Sequence, residues 1–276
     1  MTPTVETVDT VERPGDSPPP VLELAHISKS FGAVRALSDV SMRVAAGEVV
    51  ALVGDNGAGK STLIKTVSGA HPRDGGTMSV SGEQVSPRKP IDSTRLGIAT
   101  VYQDLALCDN LDIVANLFLG REKHHGGFLS ALDMEEIAVG LLKRLSVKIK
   151  DLRVPVSSLS GGQRQSVAIA RSLLGDPRLV ILDEPTAALG VEQTAEVLEL
   201  IERLRSEGHA VLMVSHNLAD VFDVADRIVC LRLGRSVSEF PVEGTTEEQV
   251  VAAITGIADS SAQKRRKLRR DRAEEG

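Results

Sequence analysis

The run Gly54-Asp55-Asn56-Gly57-Ala58-Gly59-Lys60-Ser61-Thr62 carries the pattern G-x-x-x-x-G-K-S/T. An apolar strand-like stretch, Val49–Val53, precedes it, and a helical stretch, Leu63–Val67, follows. In that context the run is a phosphate-binding loop. Its glycines let the backbone wrap an anion with N–H groups pointing inward. The helix that follows adds its N-terminal dipole. Lys60 would place a point charge on the β- and γ-phosphates of a nucleotide, and Ser61 would offer its hydroxyl to Mg²⁺. A second constellation is Leu179-Val180-Ile181-Leu182-Asp183-Glu184, an apolar strand ending in two carboxylates. Open α/β sheets bind ligands at that edge. Asp183 suits Mg²⁺ through water, and Glu184 suits a general base for an attacking water. A third is Leu159-Ser160-Gly161-Gly162-Gln163, leading into a helical stretch over Ser166–Leu174. It is a second helix N-terminus fit for an anion, although Ser-Gly-Gly alone reads equally as an ordinary N-cap.

These groups need elements to hold them. Val49–Val53, Leu179–Leu182, Ala210–Val214 and Ile228–Leu231 are short continuous apolar runs, the pattern of strands buried on both faces. Helical stretches such as Val191–Arg205 lie between them, so the fold class is α/β with a mainly parallel sheet. Val21–Ile27, Asp39–Val44 and Thr77–Val80 predict a small antiparallel sheet near the start. Residues 104–157 break the alternation. Asp112–Gly120 and Met134–Leu145 have helical spacing and are joined by a loop at His124-His125-Gly126-Gly127, which predicts an inserted helical subdomain over about 104–175. Thr246–Ile254 predicts a short helix. Residues 1–20, with five prolines, read as a disordered leader, and 258–276, with basic Lys264–Arg272, as a charged disordered tail. The ordered domain then covers 21–257.

Composition narrows the class. Of the 276 residues, 42% are hydrophobic and 25% charged, as in a soluble globular domain. No uninterrupted apolar run exceeds five residues, so no spanning helix is expected. Cys108 and Cys230 lie far apart, which fits neither a disulfide framework nor a zinc site and suits a reducing cytoplasm. The net charge of −6, one Tyr, five Phe and no Trp argue against a nucleic-acid or base-stacking surface.

The phosphate loop, the strand-end carboxylates and Leu159-Ser160-Gly161-Gly162-Gln163 together resemble the ATP-binding cassette (ABC) ATPases, whose signature that last run matches letter for letter. The resemblance covers about residues 21–257. It implies a P-loop NTPase (RecA-like) core, an antiparallel β subdomain and an inserted α-helical subdomain, with ATP and Mg²⁺ as ligands. It places Phe31 where the family has an aromatic that stacks on adenine; a core Phe in a short strand is the alternative. It makes Gln103, after the Ile98–Tyr102 strand, a sensor of Mg²⁺ and the nucleophilic water, and His216 a γ-phosphate contact. His26, His71, His124, His125 and His209 have no such support and are expected on the surface or in loops. Gly190 stands where the family usually has an aspartate that couples two nucleotide sites.

The Gly54-Asp55-Asn56 start of the phosphate loop, Val101-Tyr102-Gln103-Asp104-Leu105 and Asn116-Leu117-Phe118-Leu119-Gly120-Arg121-Glu122 look like monosaccharide importers of the ribose, xylose and fructose type, in their single-cassette branch. That likeness implies a second cassette facing the first with ATP between them, a separate permease, an extracytoplasmic sugar-binding protein, and a peripheral position at the cytoplasmic face of the membrane. A soluble ABC ATPase of DNA repair or translation is the alternative, but a long coiled-coil insertion is missing. A protein that binds ATP without hydrolysing it is disfavoured by Glu184 and His216.

Overall fold

The computed structural model describes residues 18–257. The tail and nearly all of the leader read from the sequence lie outside the described residues. The chain opens with a hairpin, β1 (Leu22–Phe31) and β2 (Val34–Val44), which turns at Gly32 and Ala33. β3 (Val49–Val53) leads through the phosphate loop into α1 (Lys60–Val67). β4 (Gly75–Val80), β5 (Glu83–Val85), α2 (Pro90–Arg95) and β6 (Ile98–Val101) follow. The insertion holds α3 (Ile113–Phe118), β7 (His124–His125), β8 (Phe128–Leu129), α4 (Ala131–Arg144) and α5 (Gly161–Leu173). The rest is β9 (Leu179–Asp183), α6 (Val191–Ser206), β10 (Ala210–Val214), α7 (Leu218–Val224), β11 (Arg227–Arg232), β12 (Arg235–Pro241) and α8 (Glu247–Thr255).

The large sheet runs in the order β5-β4-β1-β2-β12-β11-β3-β10-β9-β6. β11, β3, β10, β9 and β6 are parallel to one another, which requires the helical crossovers between them. β5, β4, β1 and β2 are antiparallel. The two halves meet through one parallel residue pair, Arg235 of β12 with Asp39 of β2. The α/β core and the antiparallel subdomain expected from the sequence are therefore both present.

β3 and β10 are buried throughout because their side chains are apolar on both faces. Val49, Ala51 and Val53 point into one core with Val180, Leu182, Val211 and Met213, against Ile169 of α5 and Ile201 and Leu204 of α6. Val50 and Leu52 point into the other with Leu179, Ile181, Leu212 and Val214, against Leu63 and Ile64 of α1 and the β1–β2 hairpin. Each Val, Leu, Ile or Met side chain among them contributes about 1.5–3 kcal/mol of burial.

Three details differ from the sequence reading. β1 extends to Phe31 by absorbing a bulge at His26, whose φ is 55°. The expected loop at His124–Gly127 is a tight hairpin, with β7 and β8 paired across Gly126 and Gly127, both at positive φ. His209 is not on the surface. It is buried just before β10, its Nδ1 2.7 Å from the Pro177 carbonyl oxygen, because the chain must dive there to enter the sheet.

In the insertion, Asn116 of α3 is completely buried and uses its whole amide on backbone. Its Oδ1 accepts from the Cys108 N–H at 2.7 Å, and its Nδ2 donates to the carbonyls of Cys108, Leu111 and Asp112. Asn116→Ala would strand the Cys108 N–H. It is expected to lower unfolding free energy by about 2–4 kcal/mol, read by urea denaturation.

Candidate functional site

The phosphate loop owes its shape to close backbone packing. A Cβ at Gly54 would stand 2.2 Å from the Leu231 carbonyl oxygen, and one at Gly59 2.8 Å from that of Ala36; both glycines have positive φ. α1 then starts at Lys60 with no side-chain cap, leaving its first-turn N–H groups directed at the loop. Lys60 is nearly buried, and its Nζ donates to the carbonyls of Gly54 at 2.6 Å and Asp55 at 3.2 Å. An ammonium held over its own loop is pre-positioned for an anion seated there.

The loop borders a cavity of about 500 Å³, a size suited to a nucleotide-scale ligand. Its walls include Asp55, Asn56, Gly57, Gly59, Lys60, Ser61, Thr62, Gln103, Asp183 and Glu184. Ala58 does not join them: it is buried in the core and its carbonyl accepts from the Gly234 N–H at 2.9 Å. Gly54 lies beneath the loop for the packing reason above. Ser61, Gln103 and Asp183 share this cavity and offer only oxygen donors of the kind a hard divalent cation takes, so the residues fit Mg²⁺.

Asp183 ends β9 and is partly buried. Burial pushes its carboxyl above the usual range, and the neighbouring charge of Glu184 adds to this; Lys60 and Lys65 pull it back. Glu184 adopts φ 52°, a conformation that a non-glycine residue resists, while its N–H still bonds the Val214 carbonyl at 2.9 Å. His216 does not line the cavity. Its Nδ1 lies 2.8 Å from Glu184 Oε2, so it reaches the site through that carboxylate. Behind this pair, buried Thr186 donates to buried Asp220 of α7 at 2.5 Å, tying the loop after β9 to the helix after His216. The sequence reading missed Thr186 and Asp220; neither belongs to a spaced motif.

Phe31 is not a core residue. It is 44% exposed at the hairpin turn, with the Lys29 ammonium 5.4 Å from its ring centre and the His71 ring edge-on at 5.2 Å. Its hairpin partner Val34 is exposed and lines the cavity, as do Arg35 and Ala36, none of which the sequence singled out.

The Ser160–Gln163 run is elsewhere. None of its residues lines the cavity. Ser160 caps α5 in a capping box with Gln163, whose amide also donates to the Lys148 carbonyl. Its glycines do more than bare an anion site. Cβ atoms at Gly161 and Gly162 would fall 2.9 Å from Leu189 Cδ2 and 3.0 Å from Gln193 Cβ, so they let α5 press on the start of α6. Gly190, the N-cap of α6, has open space around it and φ −76°; nothing in the fold requires glycine there.

A phosphate loop, a strand-end carboxylate pair and a separately placed signature helix on one mixed sheet define a nucleotide-hydrolysing cassette. The profile of the ABC transporter family matches residues 37–187, and the chain belongs to that family. It is 45% identical over 238 residues to the xylose/arabinose import ATP-binding protein XylG of Sulfolobus acidocaldarius, covering 86% of this chain and 95% of that protein. Identity is 42% to the fructose import ATP-binding protein FrcA of Rhizobium meliloti, covering 87% and 95%. It is also 42% to the ribose import ATP-binding protein RbsA 3 of Rubrobacter xylanophilus, of which the chain spans only 48%. The fold matches a nucleotide-free ATP-binding cassette from an ABC transporter (TM-score 0.73, 25% identity, 86% of this chain and 95% of that one). It also matches a dimeric cassette in a post-hydrolysis state bound to ADP and phosphate (TM-score 0.68, 25% identity, 81% and 100%). The chain is an ABC ATPase.

The raised pKa of Asp183 has a stability sign. A carboxyl with a folded pKa above its unfolded value favours the folded state most when protonated, and that contribution is lost as pH rises through the folded value. Ionising Asp183 therefore costs stability. Asp183→Asn should raise the melting temperature at pH 7, with the gain shrinking as pH falls through the carboxylate range, while Mg²⁺-dependent hydrolysis is lost. A melting temperature below that of the natural protein at pH 7 would refute the burial argument.

Proposed function

We propose that this chain is the ATP-hydrolysing subunit of an importer for a monosaccharide, working with a separate permease at the cytoplasmic face of a membrane. The observation that carries this reading is the nearly full-length likeness to two import ATP-binding proteins, for xylose/arabinose and for fructose. No helix among the described residues is long and apolar enough to cross a membrane, so the channel falls to another chain. An extracytoplasmic sugar-binding protein would deliver the substrate. None of the relatives named above is a protein of DNA repair or translation, and no observation favours that alternative.

The geometry supports this division of labour. The phosphate-loop N–H groups and Lys60 bind the β- and γ-phosphates of ATP, and Phe31, which is not itself part of the cavity wall but is exposed next to the wall residue Val34, offers its ring to the adenine. Ser61, Asp183 and Gln103 would hold Mg²⁺, which when bound would neutralise phosphate charge. Glu184 accepts a proton from water as the water oxygen bonds to the γ-phosphorus and the bond to the ADP oxygen breaks. His216 fixes the orientation of Glu184 through their hydrogen bond and acts on the site through that carboxylate. The signature helix lies outside the chain's own cavity, so it serves the cavity of a second cassette, in a homodimer or with a sister subunit.

Glu184→Gln keeps the shape of the side chain and removes the base. Hydrolysis should slow by about 10²–10⁴-fold while ATP binding persists. The ATP-bound dimer should accumulate on gel filtration, and a strain carrying only this variant should lose uptake of its labelled monosaccharide. Hydrolysis near the natural rate would remove Glu184 from the base role, and normal uptake across a panel of pentoses and hexoses would overturn the importer reading. Ser160→Arg should also bind ATP yet form no ATP-dependent dimer, because a bulky cation would occupy the partner's phosphate position.

A further inference from the structure

Gln103 opens a loop that leaves the phosphate cavity and runs beneath the helical insertion. At its root, the Tyr102 hydroxyl hydrogen-bonds the Ser68 hydroxyl at 2.8 Å. Ser68 is the C-cap of α1, the helix that begins in the phosphate loop. Further along, Arg171 of α5 spans two successive carbonyls, Nη2 donating to Leu105 at 2.7 Å and Nη1 to Ala106 at 2.8 Å. Ala106 itself has φ 49°, a conformation that an L side chain resists; its N–H donates to Asp104 Oδ1 at 3.3 Å, and the Arg171 contacts hold the carbonyl side of the same turn. A cavity of about 270 Å³, walled in part by Tyr102, Asp104, Leu105, Ala106 and Arg171, borders the contact. Leu105 and Leu107 pack against the main core, and the guanidinium adds the polar restraint on the side of the cavity. Burial pulls the Arg171 pKa down, with Cys108 opposing and Arg121 adding to the pull. A half-buried cation gains from charge-assisted hydrogen bonds, and the two carbonyls take one N–H from each terminal nitrogen.

α5 is also the helix that Ser160 opens. One helix thus carries the signature at its start and the grip on the Gln103 loop near its end. We propose that Arg171 is a positioning residue for ATP hydrolysis: its fork holds the 103–106 loop so that Gln103 faces the cavity, and it ties that placement to the signature helix. The inference rests on the reading of Gln103 as a Mg²⁺ ligand.

The chain has a single Tyr and no Trp, so its intrinsic emission reports on Tyr102, next to Gln103. The test compares full-length natural protein with Arg171→Met and Arg171→Lys. Hydrolysis is measured together with Mg²⁺ titration of the ATP-loaded protein, followed by calorimetry and by Tyr102 emission. Arg171→Met should lower kcat and weaken Mg²⁺ binding about 10- to 100-fold, the range for loss of an outer-sphere support. ATP affinity in EDTA should stay within about twofold, since the Lys60 cradle is distant and untouched. Arg171→Lys keeps the charge but cannot span both carbonyls, and should fall between the two. A purely structural role would lower the melting temperature and leave kcat per folded molecule and Mg²⁺ affinity unchanged; that result overturns the proposal. If Arg171→Met does not fold, Arg171→Lys decides on the same terms. Gln103→Ala separates the two layers. Natural hydrolysis and Mg²⁺ affinity in Gln103→Ala would refute the role of Gln103 itself, whereas impairment there with unaffected Arg171 variants refutes the positioning role alone.

Discussion

The parallel pairing of β3, β10 and β9 is the constraint on which the rest of the molecule depends. Leu52 stands opposite Val214, and Val214 opposite Asp183. The three strands therefore end at one level, and Gly54, Ser215 and Glu184 begin their loops side by side. Each strand feeds alternate residues to two different cores. A slip of one residue would send every side chain to the opposite core, where the neighbours are packed around other shapes, so close packing of both cores holds the register. β11 is drawn into the same frame by pairing Cys230 with Val53, which brings the Leu231 carbonyl against Gly54 and the Leu233–Gly234 turn to the cavity wall.

With position supplied by the core, the groups at the strand ends are free to be uncomfortable. Burial disfavours a charge on Asp183, and the neighbouring charge of Glu184 disfavours it further. Glu184 sits at positive φ. Local strain of this kind persists only where surrounding structure over-determines it. Here the supports are the Glu184 N–H bond to Val214, the Thr186–Asp220 clamp and the Asn217 cap that starts α7 beside His216. On the proposed reading, the stability given up at the edge is the same feature that would ready a carboxylate pair for a cation and a water.

The sequence disclosed what depends on local pattern. Val49–Val53 and Ala210–Val214 were legible to the residue, because a strand buried on both faces is a bare apolar run between polar ends. The phosphate loop was legible because its glycines answer to two local demands, positive φ and close backbone approach. The remainder depends on contacts between distant stretches. His209 gave no sign of burial, since only the path of Pro177 past it creates the pocket it fills. Phe31 could be a core ring or a base platform until the hairpin turn left it exposed. Arg171 lies in a helix of ordinary appearance, and its partners are carbonyls some 65 residues away, which have no sequence identity to read.

The placement of the signature joins two problems that the sequence presents as separate. α1 and α5 each begin as an anion-suited helix N-terminus, yet only α1 opens on the cavity. What holds the start of α5 is contact with Leu189 and Gln193, possible because Gly161 and Gly162 lack side chains. Leu189 follows Glu184 by the short turn that contains Thr186, and Gly190 lies between Leu189 and α6. The residue that would activate water in one site and the helix end that would meet a second cassette therefore rest on the same turn. A displacement of α5 by a partner must push on that turn through packed atoms, whatever side chain stands at position 190. A Cβ at 190 would meet open space, so the connection within this chain runs through the packing of Leu189 and Gln193 and not through the side chain at that position.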